Sequence, residues 1–216
     1  MEWIRVTSAR EFAEALGSGA LAIEVVGRLV GMPSVTLPPG ASLRGGSLGF
    51  GAKGLRLTSN NTVQDTTITT APHEVAIYND TAVTDLGTLA LANVTTTGQV
   101  YLAADNQVRA GRVEADGVHV TAADTRGRFH RPTGFGVEAL QGAFTLWNRQ
   151  PDPAVRLTAR LERISAGSAS EPVHGGGVFV GGHGDTAGKA DGGTVDVELL
   201  TTGDVFSNGG HCPGHA

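Results

Sequence analysis

Short apolar segments recur along this chain at nearly regular intervals, and this repeat constrains the fold more than any other feature. The repeat starts at Val63, Leu89 and Val113 are 26 and 24 residues apart. A period of this size is typical of solenoids, whose repeats bury a continuous core only by stacking. The first segment type occurs at 61–68, 87–94, 111–118 and 193–200, with a weaker copy at 159–164, and a second, strand-like type follows at 75–79, 100–104, 137–141, 178–182 and 205–206.

The composition supports strands and tight turns. The chain of 216 residues contains 32 Gly, is 40% hydrophobic and only 5% aromatic, and small and β-branched residues suit pleated strands. A net charge of −5 disfavours a general nucleic-acid binder, which needs a basic surface. Cys212 is the single cysteine, so the chain has no intrachain disulfide framework.

A capping box at Ser8–Glu11 predicts a short helix over 8–17, because the Ser hydroxyl and the Glu carboxylate satisfy amides of the first turn. A helix in this place would cover the exposed end of a solenoid. We therefore expect one domain over 1–216, with a capping helix at 8–17, stacked coils over 21–206 and an irregular tail at 207–216. The tail carries no cap, which predicts either a truncated or frameshifted chain or an end covered by self-association.

Two further segments carry a resemblance to a known architecture. With the cap helix, Leu37–Gly45 and Asn60–Thr69 resemble right-handed parallel β-helix proteins of the pectin-lyase-like kind. The resemblance covers nearly the whole chain at the level of architecture, and the catalytic motifs of the lyases are not recognisable in it. It implies an all-β, right-handed parallel β-helix with a short N-terminal capping helix.

The N-terminal residues have neither a basic segment nor an apolar stretch of the kind that directs export. No segment reaches the length of a membrane span. The sequence therefore predicts a soluble cytoplasmic protein with no membrane partner, or a secreted one if Met1 is not the native start.

Insertions at matching corners of successive coils predict a loop-lined groove, since such insertions stack on one side of a solenoid. The third coil inserts 125–134 and 142–153, and the fourth inserts 168–176 and 182–192. Strand alternation then places Ala76, Tyr101, Glu138 and Phe179 on one outward ladder, a column of side chains at paired positions of neighbouring strands. Tyr101 and Phe179 are candidates for stacking against sugar rings, with coverage by loops as the alternative.

Glu138, Asp105 and His183 are the candidate acid and base groups. Glycoside hydrolysis needs two carboxyl groups, and neighbouring coils supply suitable separations. Asp80 and Asp105 also suit the ordinary role of a turn residue, which we favour, and an outward Glu138 is usually only solvated.

Three further residues are candidates for substrate binding. Arg128 and Arg131 belong to the one concentrated basic segment. They could bind the carboxylate or sulfate of an anionic glycan, but we favour the alternative that they lie in a solvated loop. Trp147 lies in a predicted loop bounded by prolines. It is a candidate for a ligand contact, but we favour the alternative that it packs the loop onto the stack. The His-containing segments 183–185 and 211–215 favour adventitious metal binding only, so no metal site and no cofactor is predicted.

Three functions remain open. The first is a β-helix protein whose groove binds an extended poly- or oligosaccharide without assured catalysis. The second is a polysaccharide lyase or glycoside hydrolase that uses the groove carboxylates. The third is a structural or assembly module that self-associates through its C-terminal coil. Fold alone does not separate them.

Overall fold

The computed structural model describes residues 2–80, 82–104, 111–125, 142–150, 152, 154–182 and 194–208. Over these residues the chain forms one helix, α1 (Ala9–Gly17), and sixteen strands. The strands are β1 (Ile4–Val6), β2 (Ala22–Val25), β3 (Arg28–Met32), β4 (Val35–Thr36), β5 (Ser42–Arg44), β6 (Ser47–Phe50), β7 (Leu55–Leu57), β8 (Thr62–Thr69), β9 (Val75–Asn79), β10 (Thr88–Thr96), β11 (Gln99–Ala104), β12 (Gly111–Val120), β13 (Gly142–Asn148), β14 (Leu157–Ala166), β15 (Gly176–Gly182) and β16 (Val195–Val205).

The strands form two sheets, and every pairing among the described strands is parallel. The first sheet has the order β1-β2-β5-β8-β10-β12-β14-β16, with β6 pairing to both β3 and β8, and the second has the order β4-β7-β9-β11-β13-β15. From β7 onwards successive strands alternate between the two sheets. The all-β class and the parallel pairing are confirmed, and the arrangement is consistent with a solenoid.

The core lies between the two sheets and is built from side chains that repeat at paired positions. In the first sheet Ile23, Leu43 and Val63 pair in turn, and all three are fully buried. In the second sheet Val100 and Phe144 do the same. Because alternate residues of a strand face opposite sides of a sheet, each coil contributes its apolar positions to this continuous stack.

Register differs from the repeat at two places in the first sheet, between β8 and β10 and between β14 and β16, where Ala159 pairs with Val197 instead of Val195. The repeat aligns Val63 with Leu89, but Val63 pairs with Leu91, whereas the predicted equivalence of Leu89 with Val113 is confirmed. A shift of two residues keeps every side chain on the same face of the sheet. The alternation of apolar residues therefore could not reveal the shift.

The third coil is the main correction in the second sheet. The strand that stacks between β11 and β15 is Gly142–Asn148, not the predicted 137–141, which lies outside the described residues. The prediction that 142–153 is an inserted loop is wrong for 142–148. All seven residues of β13 are buried, so this strand has no polar face to mark it.

The long strands of the first sheet bend at equivalent positions. Asp65, Asn93, Gly117 and Arg163 have φ of 51°, 51°, 66° and 52° and stack on one another. Gly, Asn and Asp tolerate this left-handed conformation. Arg163 does not share that tolerance, but its guanidinium forms an ion pair with Asp116 at 2.7 Å.

The capping helix is confirmed. The Ser8 hydroxyl accepts from the Glu11 amide at 3.2 Å, and the Glu11 carboxylate accepts from the Thr7 amide at 2.7 Å. The hydrogen bond from Thr7 lowers the pKa of the Glu11 carboxyl. Phe12 and Ala15 are buried against the core, so α1 closes the N-terminal end of the stack. No helix within the described residues has the length and apolar character needed to cross a bilayer.

Buried asparagines complete the backbone pairing where strands end. Asn79 of β9 donates to the Ala103 carbonyl at 2.8 Å and accepts from the Ala103 amide at 2.7 Å. Asn148 of β13 donates to the carbonyls of Val155 and Thr194. These side chains satisfy backbone groups that have left the regular sheet and lie away from water.

Asn79→Ala tests this role. Removing the side chain leaves the buried amide and carbonyl of Ala103 without these partners, so we expect the free energy of unfolding to fall by about 2–4 kcal/mol. Chemical denaturation measures it. As a control, Asn93→Gly keeps the left-handed conformation and removes one exposed hydrogen bond to Asp65, so it should cost less than about 1 kcal/mol. Equal losses for the two variants would contradict the assignment.

Candidate functional site

The outer face of the second sheet carries one continuous column of side chains, here called the outer ladder. Its members alternate with buried core residues along each strand and are paired from strand to strand. The outer ladder consists of Thr36, Arg56, Tyr78, Tyr101, Thr145 and Phe179. The predicted placement of Tyr101 and Phe179 on one ladder is confirmed, but the structure puts Tyr78 and Thr145 where Ala76 and Glu138 were expected.

Tyr78 and Tyr101 occupy neighbouring positions of this ladder, and they are the only two tyrosines in the chain. Both are half-buried, while their strand neighbours Ile77 and Val100 are fully buried. Paired positions in adjacent parallel strands are about 4.8 Å apart. The two phenol rings therefore form a small aromatic surface on the outside of the stack.

Polar and cationic groups surround Tyr78. Its hydroxyl lies 3.0 Å from the Ser34 hydroxyl, which donates to the Gly54 carbonyl at 3.1 Å. The Lys53 ammonium lies 5.9 Å from the centre of the Tyr78 ring, within the range of a cation–π contact. The N-terminal end of the outer ladder thus combines an aromatic ring with hydroxyl and ammonium groups.

Arg56 is the next member of the ladder and is held by Asp80. Its guanidinium Nη2 lies 2.7 Å from Asp80 Oδ1, and the same oxygen accepts from the Ala82 amide at 3.0 Å. Asp80 therefore acts as a turn residue, as we favoured from the sequence, and it also fixes the position of a cation on the ladder.

Trp147 lies on strand β13, not in the predicted loop. The residue is 3% exposed, and the choice between a packing role and a ligand contact stays a prediction. The Phe179 ring meets it edge-on at 6.0 Å between ring centres, and the Arg149 guanidinium lies 5.0 Å from the ring centre. Trp147 pairs with Ala103 on one side and Gly181 on the other, beside the outer ladder.

The remaining candidates lie outside the described residues. These are the proposed acid and base groups and the two proposed arginine contacts, together with the segments considered for adventitious metal binding. They comprise Glu138, Asp105, His183, Arg128, Arg131 and the segments 183–185 and 211–215. The assignments to these residues remain predictions.

The outer face of the first sheet has a different character, because its charges neutralise each other. Arg112 bonds Glu198 through both terminal nitrogens at 2.8 and 2.7 Å, and this pairing lowers the pKa of the Glu198 carboxyl. The hydrogen bond from Arg163 lowers the pKa of the Asp116 carboxyl in the same way. Perturbed pKa values often mark functional sites, but exposed ion pairs explain these two.

Comparisons with known protein families, with curated proteins and with solved structures gave no match to this chain.

Sequence reasoning missed Tyr78, Lys53 and Arg56 as members of the candidate site. The alternation of Leu55-Arg56-Leu57 and Ile77-Tyr78-Asn79 was enough to place Arg56 and Tyr78 on the outer face. What the alternation lacked was the register between β9 and β11, which shifts between Gln99 and Val100. The predicted alignment of Val75 with Val100 put Tyr101 at the level of Ala76, whereas the observed pairing of Val100 with Ile77 puts it at the level of Tyr78.

Two substitutions of Asp80 separate the contribution of its ion pair with Arg56 from that of its hydrogen bond with the Ala82 amide. Asp80→Asn keeps an oxygen that accepts from the Ala82 amide but removes the charge pairing with Arg56, so we expect a loss of about 1 kcal/mol or less, because the pair is partly exposed. Asp80→Ala removes both contacts and should cost about 0.5–1.5 kcal/mol more. Urea denaturation of both variants measures the difference. A larger loss for Asp80→Asn than for Asp80→Ala would contradict a turn role.

Proposed function

We propose that the fold is a right-handed parallel β-helix of the pectin-lyase-like kind and that the outer ladder of the second sheet binds an extended carbohydrate. The observation that carries the proposal is the pairing of Tyr78 and Tyr101 on neighbouring strands of the outer face. Sugar rings present flat apolar faces, and half-buried aromatic rings at successive positions suit stacking against them.

The neighbours of the tyrosines fit the same ligand. A sugar that stacks on an aromatic ring still needs partners for its hydroxyl groups, because polar groups that leave water without hydrogen bonds are costly. Ser34, Lys53 and Arg56 supply hydroxyl, ammonium and guanidinium groups beside Tyr78. The accessible part of the ladder runs from Thr36 to Tyr101, since Thr145 is fully buried, and a ligand that follows it is extended across four strands.

Tyr101→Ala tests the aromatic surface. Loss of one stacking ring should weaken binding about three- to tenfold, and Tyr101→Phe should retain binding because it keeps the ring. The measurement is a glycan array on the full chain, followed by calorimetric titration of the sugars that bind. Thr158→Ala, on β14 of the first sheet and away from the ladder, serves as the control. Equal affinity of wild type and Tyr101→Ala for every sugar that binds would contradict the proposal.

Catalysis as a polysaccharide lyase or glycoside hydrolase is tested in the same samples. Assays for new reducing ends and for unsaturated products on each bound glycan report the two reactions. Repeating them with Glu138→Gln separates turnover from binding, since retained binding with lost product is the result expected of a catalytic carboxyl group.

The exposed apolar residues of β16 favour a second candidate, assembly through the C-terminal coil. Val197 and Leu200 are 45% and 44% exposed, although their paired residues in β14, Ala159 and Leu161, are fully buried. Core-facing positions of the last described coil therefore face solvent. We propose that a second copy of the chain covers this end, because α1 already closes the other end.

Leu200→Lys tests self-association. A charge at a core-facing position of the open end should weaken association at least about tenfold, since burial of a leucine is worth about 1.5–3 kcal/mol. Sedimentation equilibrium over a range of concentrations measures it. Val30→Lys, at another exposed apolar residue near the capped end, is the matched control. A wild-type chain that stays monomeric at high concentration would rule out assembly.

A further inference from the structure

Among the described residues, the buried indole N–H of Trp147 has no hydrogen-bond acceptor. The Nε1 atom is inaccessible to solvent, and the whole residue is 3% exposed. Leaving a buried donor unsatisfied costs about 1–3 kcal/mol, and native proteins satisfy nearly all of them. An acceptor oxygen, supplied by a ligand or by an ordered water, therefore belongs at this position.

The position of Trp147 connects it with the outer ladder. It follows Thr145 by two residues on β13, so both side chains lie on the outer face of the sheet. Its paired residue on β15 is Gly181, which places no side chain beside the indole. The Phe179 ring leans into that space, because a Cβ built on Gly181 would lie 3.3 Å from Phe179 Cζ.

Phe179 covers the indole from the side of β15, and on the ladder the fully buried Thr145 separates it from Tyr101. Its ring is held edge-on against Trp147 at 6.0 Å, and the residue is itself only half-buried. Phe179 is not a member of the buried core. A ligand at the β15 end of the ladder meets this ring first and reaches the indole once the ring has turned aside.

We propose that Trp147 Nε1 donates a hydrogen bond to an oxygen of the bound sugar once the Phe179 ring has moved, which makes Trp147 and Phe179 a second subsite of the outer ladder. This inference rests on the proposed carbohydrate-binding function. The recognised group is an acceptor oxygen, supplied by a sugar hydroxyl or a sugar carboxylate. The guanidinium of Arg149, 5.0 Å from the indole ring centre, adds to the attraction if that oxygen is charged.

The test uses the fluorescence of Trp147 in the full chain. The chain has two tryptophans, so Trp3→Phe leaves Trp147 as the only one. The probes are neutral glucan oligosaccharides and uronate oligosaccharides, titrated separately. A hydrogen bond to the indole N–H and the movement of Phe179 should shift the emission of Trp147 to longer wavelength, and the more effective series identifies the oxygen as hydroxyl or carboxylate.

Trp147→Phe supplies the second measurement. It keeps most of the apolar side chain and removes the donor, so binding of the effective oligosaccharide should weaken about fivefold for a neutral oxygen and more for a carboxylate. Trp3→Phe removes the other indole, which lies under Arg44 near the N-terminus, and should leave binding unchanged. Should Trp147→Phe fail to fold, the fluorescence titration still decides, since it leaves Trp147 in place.

The outcomes separate this inference from the function on which it rests. An oligosaccharide that binds, depends on Tyr101 and yet leaves the emission of Trp147 and the affinity of Trp147→Phe unchanged overturns the inference and keeps the function. In that case the indole N–H is satisfied by a structural water and affects stability alone. If neither series binds, the proposed function and this subsite are both overturned.

Discussion

Hydrogen bonding between successive parallel strands is the interaction on which the rest of this structure depends. A coil of this kind cannot satisfy its backbone groups within itself, so each strand relies on the strand before and the strand after it. The same stacking brings residues such as Val100 and Phe144, 44 positions apart, into direct contact in the core. Where the strands end, the side chains of Asn79 and Asn148 continue the pairing. The columns of side chains on both outer faces also depend on this pairing, because outward residues line up only where the backbones are in register.

The parallel class and the capping helix could be predicted because they leave local marks in the sequence. Ser8 and Glu11 make their contacts within one turn, and the alternation in β10 and β12 identifies the inward face directly. Pairing register leaves no such mark, since a shift of two residues at Val63 preserves the pattern. Strand β13 was missed for a related reason. It is buried on both faces, so the apolar pairs Ala143-Phe144 and Leu146-Trp147 do not show the alternation that marks a half-buried strand.

The candidate site could be predicted only in part for the same reason, because the pairing register of its residues is not visible in the sequence. Tyr78 and Tyr101 are recognisable from the sequence as outward residues, but their proximity depends on the irregularity between Gln99 and Val100. Pairing of Gln99 with Val75 would, if continued regularly, set Tyr101 opposite Ile77, a core position. The shift sets it opposite Tyr78 instead. Irregularities of this kind change the direction in which side chains point. They depend on both strands of the pair, so the propensity of a single residue does not reveal them.

The outer faces of the two sheets carry different kinds of side chains. On the first sheet, arginines and carboxylates are paired across three strands, as Arg112 is with Glu114 and Glu198, and such a face offers a ligand little uncompensated charge. The outer face of the second sheet instead carries half-buried aromatic rings and a buried indole donor. Packing of the Trp147 ring against Phe179 stabilises the stack, whereas the buried indole donor opposes it. The hydrogen bond proposed between this donor and a sugar oxygen would offset that cost.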